Sequence, residues 1–173
     1  MRFAAIAVLL LCLGICTEKR TSTPQPTIAA VAKLPVLPRL SALEATALIH
    51  VAAKKHNVPA AFVKSIMAAE SNFYPGAISQ KGAIGLMQLM PETAQQFGVD
   101  PTIPAQNVDG GAGYLKVLLA RYRKSKNCLR RAIAAYNAGP GVVDRYRGVP
   151  PYRETRAYVA RVLGYLRRFQ KEG

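Results

Sequence analysis

Beyond residue 40, apolar residues recur at the three- and four-residue spacing of one helical face along most of the chain. Residues that commonly begin or end helices bound these runs, among them a capping box at Ser41–Glu44, Pro59, Pro91 and Gly98. For the fourth run, Asn107 or Asp109 is the expected N-cap. The pattern predicts helices over residues 41–56, 59–70, 91–98, 107–126, 127–136 and 153–169.

The interval over residues 76–88 shows little helical character. Gly76, Gly82 and Gly85 within it permit tight turns, or close approach of the backbone to a bound molecule. A small β-ribbon near residues 76–88 fits this interval. With at least five helices, no repeats and no alternating strand pattern, the sequence predicts a mainly α, compact helical domain.

Glu70 stands where the apolar face of the second predicted helix continues. It follows Met67 by three positions and Ile66 by four, so its carboxyl group lies on the apolar side. Burial disfavours the charged form and raises the pKa, as a general acid near neutral pH requires. The alternative is that the apolar face ends with the helix and leaves Glu70 in water. The face consists of Val58, Phe62, Val63, Ile66 and Met67.

The other eight acidic residues are weaker candidates for an acid catalyst. Glu44 belongs to the capping box, and Glu92 and Glu154 lie in first turns of helices, where the helix dipole favours a carboxylate. Asp100 and Asp109 stand beside a proline and a glycine, as turn or cap residues do. The remaining three lie near a terminus or in a segment whose fold is unreadable: Glu18, Glu172 and Asp144. Glu70 is therefore the single strong acid candidate, without an obvious second carboxylate.

The N-terminus has the layout of a secretory signal peptide, with Arg2 before a short apolar run and a polar stretch from Thr17. We predict a signal peptide over residues 1–16, or as far as about residue 32, where a second cleavage site fits. Two alternatives attach the protein to a membrane: an uncleaved signal, or a lipidated Cys16. The apolar run is short for a membrane span.

Four prolines among small and polar residues follow the signal. They predict an extended linker over residues 17–40. The folded domain is expected over residues 41–170, a size that allows one hydrophobic core.

The net charge indicates which partners the surface attracts, and the Cys and His content indicates whether a disulfide or a metal site is expected. The chain has 24 Lys and Arg against 9 Asp and Glu, a net charge of +15. Such a surface attracts nucleic acid, anionic lipid or acidic cell-wall polymers, or it is simply a solvated face. The export signal disfavours nucleic acid. Cys128 is the one cysteine after residue 16, so no internal disulfide is expected, and His50 and His56 lack a metal-ligand pattern.

Four motifs occur in a characteristic order. They are Glu70-Ser71 with Ser79, Gly-Leu-Met-Gln-Leu-Met-Pro at residues 85–91, Ala-Tyr-Asn-Ala-Gly at 135–139, and Glu-Thr-Arg-Ala-Tyr-Val at 154–159. Together they resemble the soluble lytic transglycosylase family, over residues 43–169. The resemblance implies a lysozyme-like α-helical fold and the cleavage of peptidoglycan in the periplasm or cell envelope. A single domain behind a signal peptide is similar to the small members that accompany secretion and conjugation machines.

The resemblance also implies roles for individual residues. Glu70 would protonate the glycosidic oxygen and then act as a base, while the substrate's N-acetyl group replaces a second carboxylate and a 1,6-anhydro product forms. Residues lining the site would be Ser79, Gln88, Met90, Tyr136, Asn137 and Tyr158. Two of these have a structural alternative, because Tyr136 and Tyr158 lie on apolar helix faces and could be core residues. Ser71 could bond to the backbone instead of sugar.

Other functions remain open at this point. The protein could be a muramidase that uses water, or a glycan-binding component of an envelope machine without catalytic activity. We expect no cofactor and no metal, peptidoglycan strands as the partner, no nucleic acid, and a monomer.

Overall fold

The structure is a computed structural model that describes residues 38–172. The predicted signal peptide and almost all of the predicted linker (17–40) lie outside the described residues. Within 38–172 the chain is mainly α, as predicted. The helices are α1 (Ala42–His56), α2 (Ala60–Ser71), α3 (Pro91–Gln96), α4 (Pro104–Tyr122), α5 (Cys128–Ala138), α6 (Pro140–Arg145) and α7 (Arg153–Phe169).

The start of α1 forms the predicted capping box. The Glu44 backbone N–H donates to Ser41 Oγ, and the Ser41 backbone N–H donates to Glu44 Oε2 at 2.8 Å. Asn57 ends α1 in a left-handed conformation (φ 53°), and Pro59 is the N-cap of α2. Asn tolerates this conformation better than most residues. The break between the two helices is therefore encoded by Asn57 and Pro59.

Helix α2 lies in the core and positions Glu70. It packs mainly against α7 and also against α1. Phe62, Val63, Ile66 and Met67 are at most 2% exposed, which confirms the predicted apolar face. Burying such side chains stabilises the fold by roughly 1.5–3 kcal/mol each. The carboxyl-terminal turn of α2 is therefore held against α7.

The apolar residues on α1 behave differently from those on α2. Leu43 and Val51 are 80% and 70% exposed, whereas the buried side of α1 consists of smaller residues and one isoleucine. The residues on that side are Ala45, Ile49, Ala52 and Ala53. Apolar residues occur on both sides of α1, so apolarity alone could not identify the buried one.

The predicted start of α4 was wrong. The helix begins at Pro104, with Ile103 as its N-cap, so Asn107 and Asp109 lie within the helix. Pro is favourable in the first helical turn because its missing N–H would have no partner there. Asn107 is fully buried, and Asp109 accepts hydrogen bonds from Lys55 and His56 of α1. Both polar side chains make tertiary contacts instead of capping.

The loop over residues 76–90, which we call the glycine loop, packs on α4. The predicted β-ribbon is reduced to two isolated antiparallel bridges, Ile78 with Ile84 and Ile84 with Leu89. Gly111 of α4 allows close packing, because a Cβ there would lie 2.7 Å from Met87 Cβ. The loop is thereby fixed against the domain.

Within residues 38–172, none of the helices combines the length and the hydropathy that a bilayer span requires.

Candidate active site

Glu70 lies in the last turn of α2 and faces α7. The Tyr158 hydroxyl donates a hydrogen bond of 2.6 Å to Glu70 Oε1. Tyr158 is 2% exposed and Glu70 is partly buried. The tyrosine therefore fixes one carboxyl oxygen and restricts the orientation of the acid.

Burial raises the pKa of Glu70 from 4.5 to about 7. The hydrogen bond from Tyr158 and the positive charge of Arg161 act in the opposite direction, since both stabilise the carboxylate. The effect of burial outweighs both. Near neutral pH, protonated and ionised Glu70 are both well populated, which suits a group that gives and then takes a proton.

Tyr136 connects the surroundings of Glu70 to the glycine loop. Its hydroxyl donates a hydrogen bond of 2.9 Å to the Met87 carbonyl. Burial raises its pKa well above the usual value, with a further contribution from the negative charge of Glu70. Tyr114 packs against Tyr136 with ring centroids 5.4 Å apart. Tyr136 is therefore a neutral donor near Glu70.

Ser71 ties the glycine loop to α2, and Ser79 stabilises the loop internally. Ser71, next to Glu70, donates a hydrogen bond of 2.8 Å to the Leu86 carbonyl. This is the backbone contact that the sequence offered as the alternative to sugar binding. Ser79 Oγ accepts from the Ala83 N–H at 3.0 Å, inside the loop. Ser71 thus sets the position of the loop relative to the acid.

Gln88 has a left-handed backbone (φ 47°) and turns its amide back into the loop. Its Nε2 donates to the Ala77 and Gly85 carbonyls at 3.0 and 2.9 Å. An amide nitrogen has two hydrogens, so both are used. The amide oxygen is the group of Gln88 that remains to accept from a ligand.

Asn137 lies at the end of α5 and faces the start of α7. Its Oδ1 accepts a hydrogen bond of 2.9 Å from the Thr155 hydroxyl, and Thr155 is 3% exposed. Asn137 therefore presents its NH₂ group as a donor. Met90 is the N-cap of α3 and is 38% exposed at the end of the glycine loop.

The predicted site residues fall into three groups in the structure. Glu70, Tyr136 and Tyr158 interact electrostatically or by hydrogen bond. Ser79, Gln88 and Met90 belong to the glycine loop or its end, and Asn137 joins α5 to α7. Among residues 38–172, no group of three His, Cys, Asp or Glu side chains could hold a metal ion.

The comparison with known proteins identifies the family. The family model described as Transglycosylase SLT domain matches residues 47–159. The chain belongs to this family. Membrane-bound lytic murein transglycosylase C of Haemophilus influenzae is 38% identical over an alignment of 114 residues, and the match covers 57% of this chain and 32% of that protein. The present chain therefore spans about a third of that relative.

Solved structures agree with the family. An inactive mutant of the lytic transglycosylase Slt from Pseudomonas aeruginosa matches with a TM-score of 0.64 and 31% identity. The match covers 73% of this chain and 24% of that one. A 70-kDa soluble lytic transglycosylase in complex with bulgecin A matches with a TM-score of 0.67 and 28% identity, over 75% and 24% of the two chains. The resemblance seen in the sequence and the lysozyme-like helical fold are both confirmed.

Three residues that support the site were missed in the sequence. The Asn107 amide bridges α4 and the glycine loop: Oδ1 accepts from the Met87 N–H, and Nδ2 donates to the Ile84 and Pro101 carbonyls, all at 2.8–2.9 Å. Thr155 orients Asn137, and Tyr114 packs against Tyr136. All three lie within helices, and their immediate sequence neighbours give no sign of a role in the site. Their roles depend on contacts distant in sequence.

Proposed function

We propose that the protein is a peptidoglycan lytic transglycosylase. It cleaves the β-1,4 bond between N-acetylmuramic acid and N-acetylglucosamine and leaves 1,6-anhydro-N-acetylmuramic acid ends. The observation that carries this proposal is Glu70, whose pKa is raised to about 7 by burial. Within residues 38–172, the groups that perturb this pKa are Tyr158 and Arg161, so a carboxylate partner is not among them.

Glu70 would act twice. In its protonated form it gives its proton to the glycosidic oxygen as the bond to the anomeric carbon breaks. The carbonyl oxygen of the substrate's own N-acetyl group attacks that carbon. The ionised Glu70 then removes the proton of the C6 hydroxyl, whose oxygen displaces the N-acetyl group and closes the anhydro ring. Proton donation and removal balance, so Glu70 ends the cycle protonated.

The hydrogen-bonding state of the neighbouring side chains supports roles in substrate binding. The Gln88 amide oxygen can accept from an N-acetyl N–H, and the Asn137 NH₂ group can donate to an N-acetyl carbonyl. Tyr136 and Tyr158 orient the acid and the reacting sugar. Ser79 and Met90 would contact sugars beside the scissile bond.

A hydrolytic muramidase on the same fold is the main competitor. Glycosidases that use water usually have a second carboxylate, either as nucleophile or as base. Among residues 38–172, the side chains that shift the pKa of Glu70 are Tyr158 and Arg161, which supports a single acid/base. Mass spectrometry of products from purified sacculi separates the two, because hydrolysis adds water and anhydro-ring formation does not. Reducing-end products would reject the proposed reaction.

A glycan-binding protein without catalytic activity is the second competitor. Sacculi incubated with the wild type should release soluble fragments, whereas Glu70→Gln should release them about 10²–10⁴-fold more slowly while still binding the glycan. Equal release by both proteins would reject Glu70 as the acid.

The signal-like N-terminus and the family together support action in the cell envelope. We propose export to the periplasm, with a secretion or conjugation apparatus as the assembly that the enzyme serves. Fractionation of producing cells, with the protein followed by immunoblot, tests the location. A cytoplasmic pool alone would contradict it.

A further inference from the structure

An exposed aromatic pair lies between α6 and α7, outside the residues assigned above. Tyr146 and Tyr152 are 45% and 40% exposed, and their rings meet edge to face with centroids 5.7 Å apart. Two neighbouring exposed tyrosines offer apolar ring surface together with polar hydroxyls, a combination that is enriched at interfaces. No residue of this pair has a role in the mechanism proposed above.

Hydrogen bonds fix the segment that presents the pair. Arg147 has a left-handed backbone (φ 50°) and its N–H donates to the Asp144 carbonyl at 3.0 Å. The Gly148 N–H donates to the Val143 carbonyl at 3.0 Å, and the Arg131 guanidinium donates to the Arg147 carbonyl. Pro150 is buried. The aromatic pair is therefore presented in a defined position.

The pair is continuous with the candidate active site through α7. Tyr152 is the N-cap of α7, Thr155 bonds to Asn137 one turn later, and Tyr158 bonds to Glu70 one further turn along. A step of three residues leaves Tyr152 and Thr155 as neighbours on the helix surface, whereas Tyr158 lies a further step around the axis and is buried. At about 1.5 Å per residue, Tyr152 and Tyr158 are separated by roughly 9 Å along the helix axis. The pair is therefore about one helical turn from Thr155, the residue that orients Asn137 of the candidate site.

The surroundings of the pair are basic. Residues 145–156 contain four arginines and one acidic residue, all exposed. Arginine donates to carboxylates in a fixed geometry, and aromatic rings pack against the apolar faces of sugars. A peptidoglycan strand offers both kinds of group, since its sugars are N-acetylated and its lactyl and peptide substituents end in carboxylates. The five charged residues are Arg145, Arg147, Arg153, Glu154 and Arg156.

We propose that Tyr146 and Tyr152 form a distal glycan subsite, which binds a sugar of the same strand that is cleaved at Glu70, with the neighbouring arginines holding its carboxylates. The proposal rests on the function proposed above. Because Tyr152 begins the helix that also carries Thr155 and Tyr158, a glycan strand fits this position better than a lipid surface does.

Cleavage of purified glycan strands of graded length tests the subsite. Tyr146→Ala, Tyr152→Ala and the double variant should raise KM for long strands, by roughly three- to tenfold for the double variant, with kcat little changed. The shortest strands that are cleaved should show no rise. Tyr165→Ala is the matched control, since Tyr165 stacks on Phe169 at the other end of α7. Thermal unfolding checks that each variant is folded. If Tyr152→Ala is unstable because it changes the N-cap of α7, the KM of Tyr146→Ala tests the subsite.

A second measurement separates this proposal from the proposed reaction. In the Glu70→Gln background, binding of chitooligosaccharides and of peptide-bearing strands is measured with and without the two tyrosines. Weaker binding of long ligands supports the subsite even if the wild type gives no anhydro product. Unchanged KM and affinity at every length would overturn it. So would a loss confined to binding of phosphatidylglycerol vesicles, which would assign the pair to a membrane surface.

Discussion

Two carboxylates of this domain accept a hydrogen bond from a tyrosine, yet they differ in every other respect. Tyr158 donates to Glu70 at 2.6 Å, and Tyr122 donates to Asp144 at 3.1 Å. Burial raises the pKa of Glu70 to about 7. The hydrogen bond from Arg121 lowers the pKa of Asp144, which is exposed and also bonded to Tyr122.

The difference shows what makes a carboxyl group an acid at neutral pH. A tyrosine donor stabilises the ionised form in both places, so it cannot account for opposite shifts. The deciding factors are removal from water at Glu70 and a guanidinium in direct contact at Asp144. Asp144 links α4 to α6 as a group that stays charged at neutral pH, whereas Glu70 can exchange a proton there.

Replacement of each carboxylate by its amide should have the largest effect on activity. Glu70→Gln removes the proton donor, and we expect a loss of about 10²–10⁴-fold in the rate of sacculus lysis, the usual contribution of a general acid. Asp144→Asn keeps the shape of a group outside the site and should retain activity within about threefold, as for a surface substitution. Turbidity of a sacculus suspension measures both rates. Comparable losses in the two variants would contradict the assignment.

The same two variants should change stability with opposite signs. The pKa of Glu70 is higher in the folded than in the unfolded protein. Its protonation therefore contributes to the free energy of unfolding in full below pH 4.5, and this contribution is lost as the pH rises through about 7. Glu70→Gln should therefore match the wild type near pH 4 and be more stable above pH 7, by on the order of 3 kcal/mol for a shift of this size. Denaturant unfolding at pH 4, 6 and 8 measures the difference.

Asp144→Asn provides the comparison. The pKa of Asp144 is lowered, so its contribution is present above the ordinary value of 3.8 and is lost as the pH falls. The variant should be less stable than the wild type at neutral pH, and the gap should narrow in acid. A Glu70→Gln difference that is constant from pH 4 to pH 8 would show that Glu70 has an ordinary pKa.

Periodicity was sufficient to find Glu70 because the relevant contacts are local. The apolar residues three and four positions before it belong to the same helix, and the helix geometry fixes the side on which its carboxyl group lies. The start of α1 and the bounds of α7 were predictable for a similar reason, since capping residues and apolar spacing act within a few residues. The prediction of signal peptide and linker concerns residues outside the described range and stays a prediction.

Asn107 and Asp144 show where sequence reasoning fails. The immediate neighbours predict a helix cap for Asn107 and predict no structure around Asp144. Apart from Pro101, six residues before Asn107, the partners of both side chains are 20 or more residues away: Met87 and Ile84 for Asn107, and Arg121 and Tyr122 for Asp144. A side chain that joins two elements has no signature until both elements are placed. For the same reason, the free oxygen of Gln88 and the free NH₂ group of Asn137 could only be assigned from the structure.

Removal of the Tyr158 and Tyr122 hydroxyls should distinguish a tyrosine that orients the catalytic acid from one that only stabilises the fold. Tyr158→Phe deletes a bond that lowers the pKa of Glu70, so the pKa should rise above about 7, and the orientation of the acid should loosen. We expect about a tenfold loss of kcat, a typical cost of one hydrogen bond of about 1.4 kcal/mol. Tyr122→Phe should lower stability and leave the pH profile unchanged. A profile that shifts equally in both variants would show a general structural effect.

Arg161 offers the smallest and most specific change. Its exposed guanidinium lies 5.5 Å from the ring centre of Tyr158, and its charge lowers the pKa of Glu70. Within the described range, the titratable or charged groups that shift the pKa of Glu70, or whose pKa it shifts, are Tyr158 and Arg161 from α7 and Tyr136 from α5. Of these, Arg161 is the one that is charged at neutral pH. Arg161→Gln should therefore raise the pKa and move the alkaline limb of kcat/KM upward by a fraction of a pH unit.

Salt provides the internal check on the Arg161 prediction. The charge of Arg161 acts through partly exposed space, so ions should screen it, with a Debye length of about 10 Å at 0.1 M. Raising the salt concentration should move the wild-type limb upward and leave the Arg161→Gln limb nearly fixed, so that the two profiles converge. Arg167→Gln, on the same helix and also exposed, is the control for loss of one positive charge. If it shifts the limb as much as Arg161→Gln, net charge is responsible and the specific role of Arg161 is wrong.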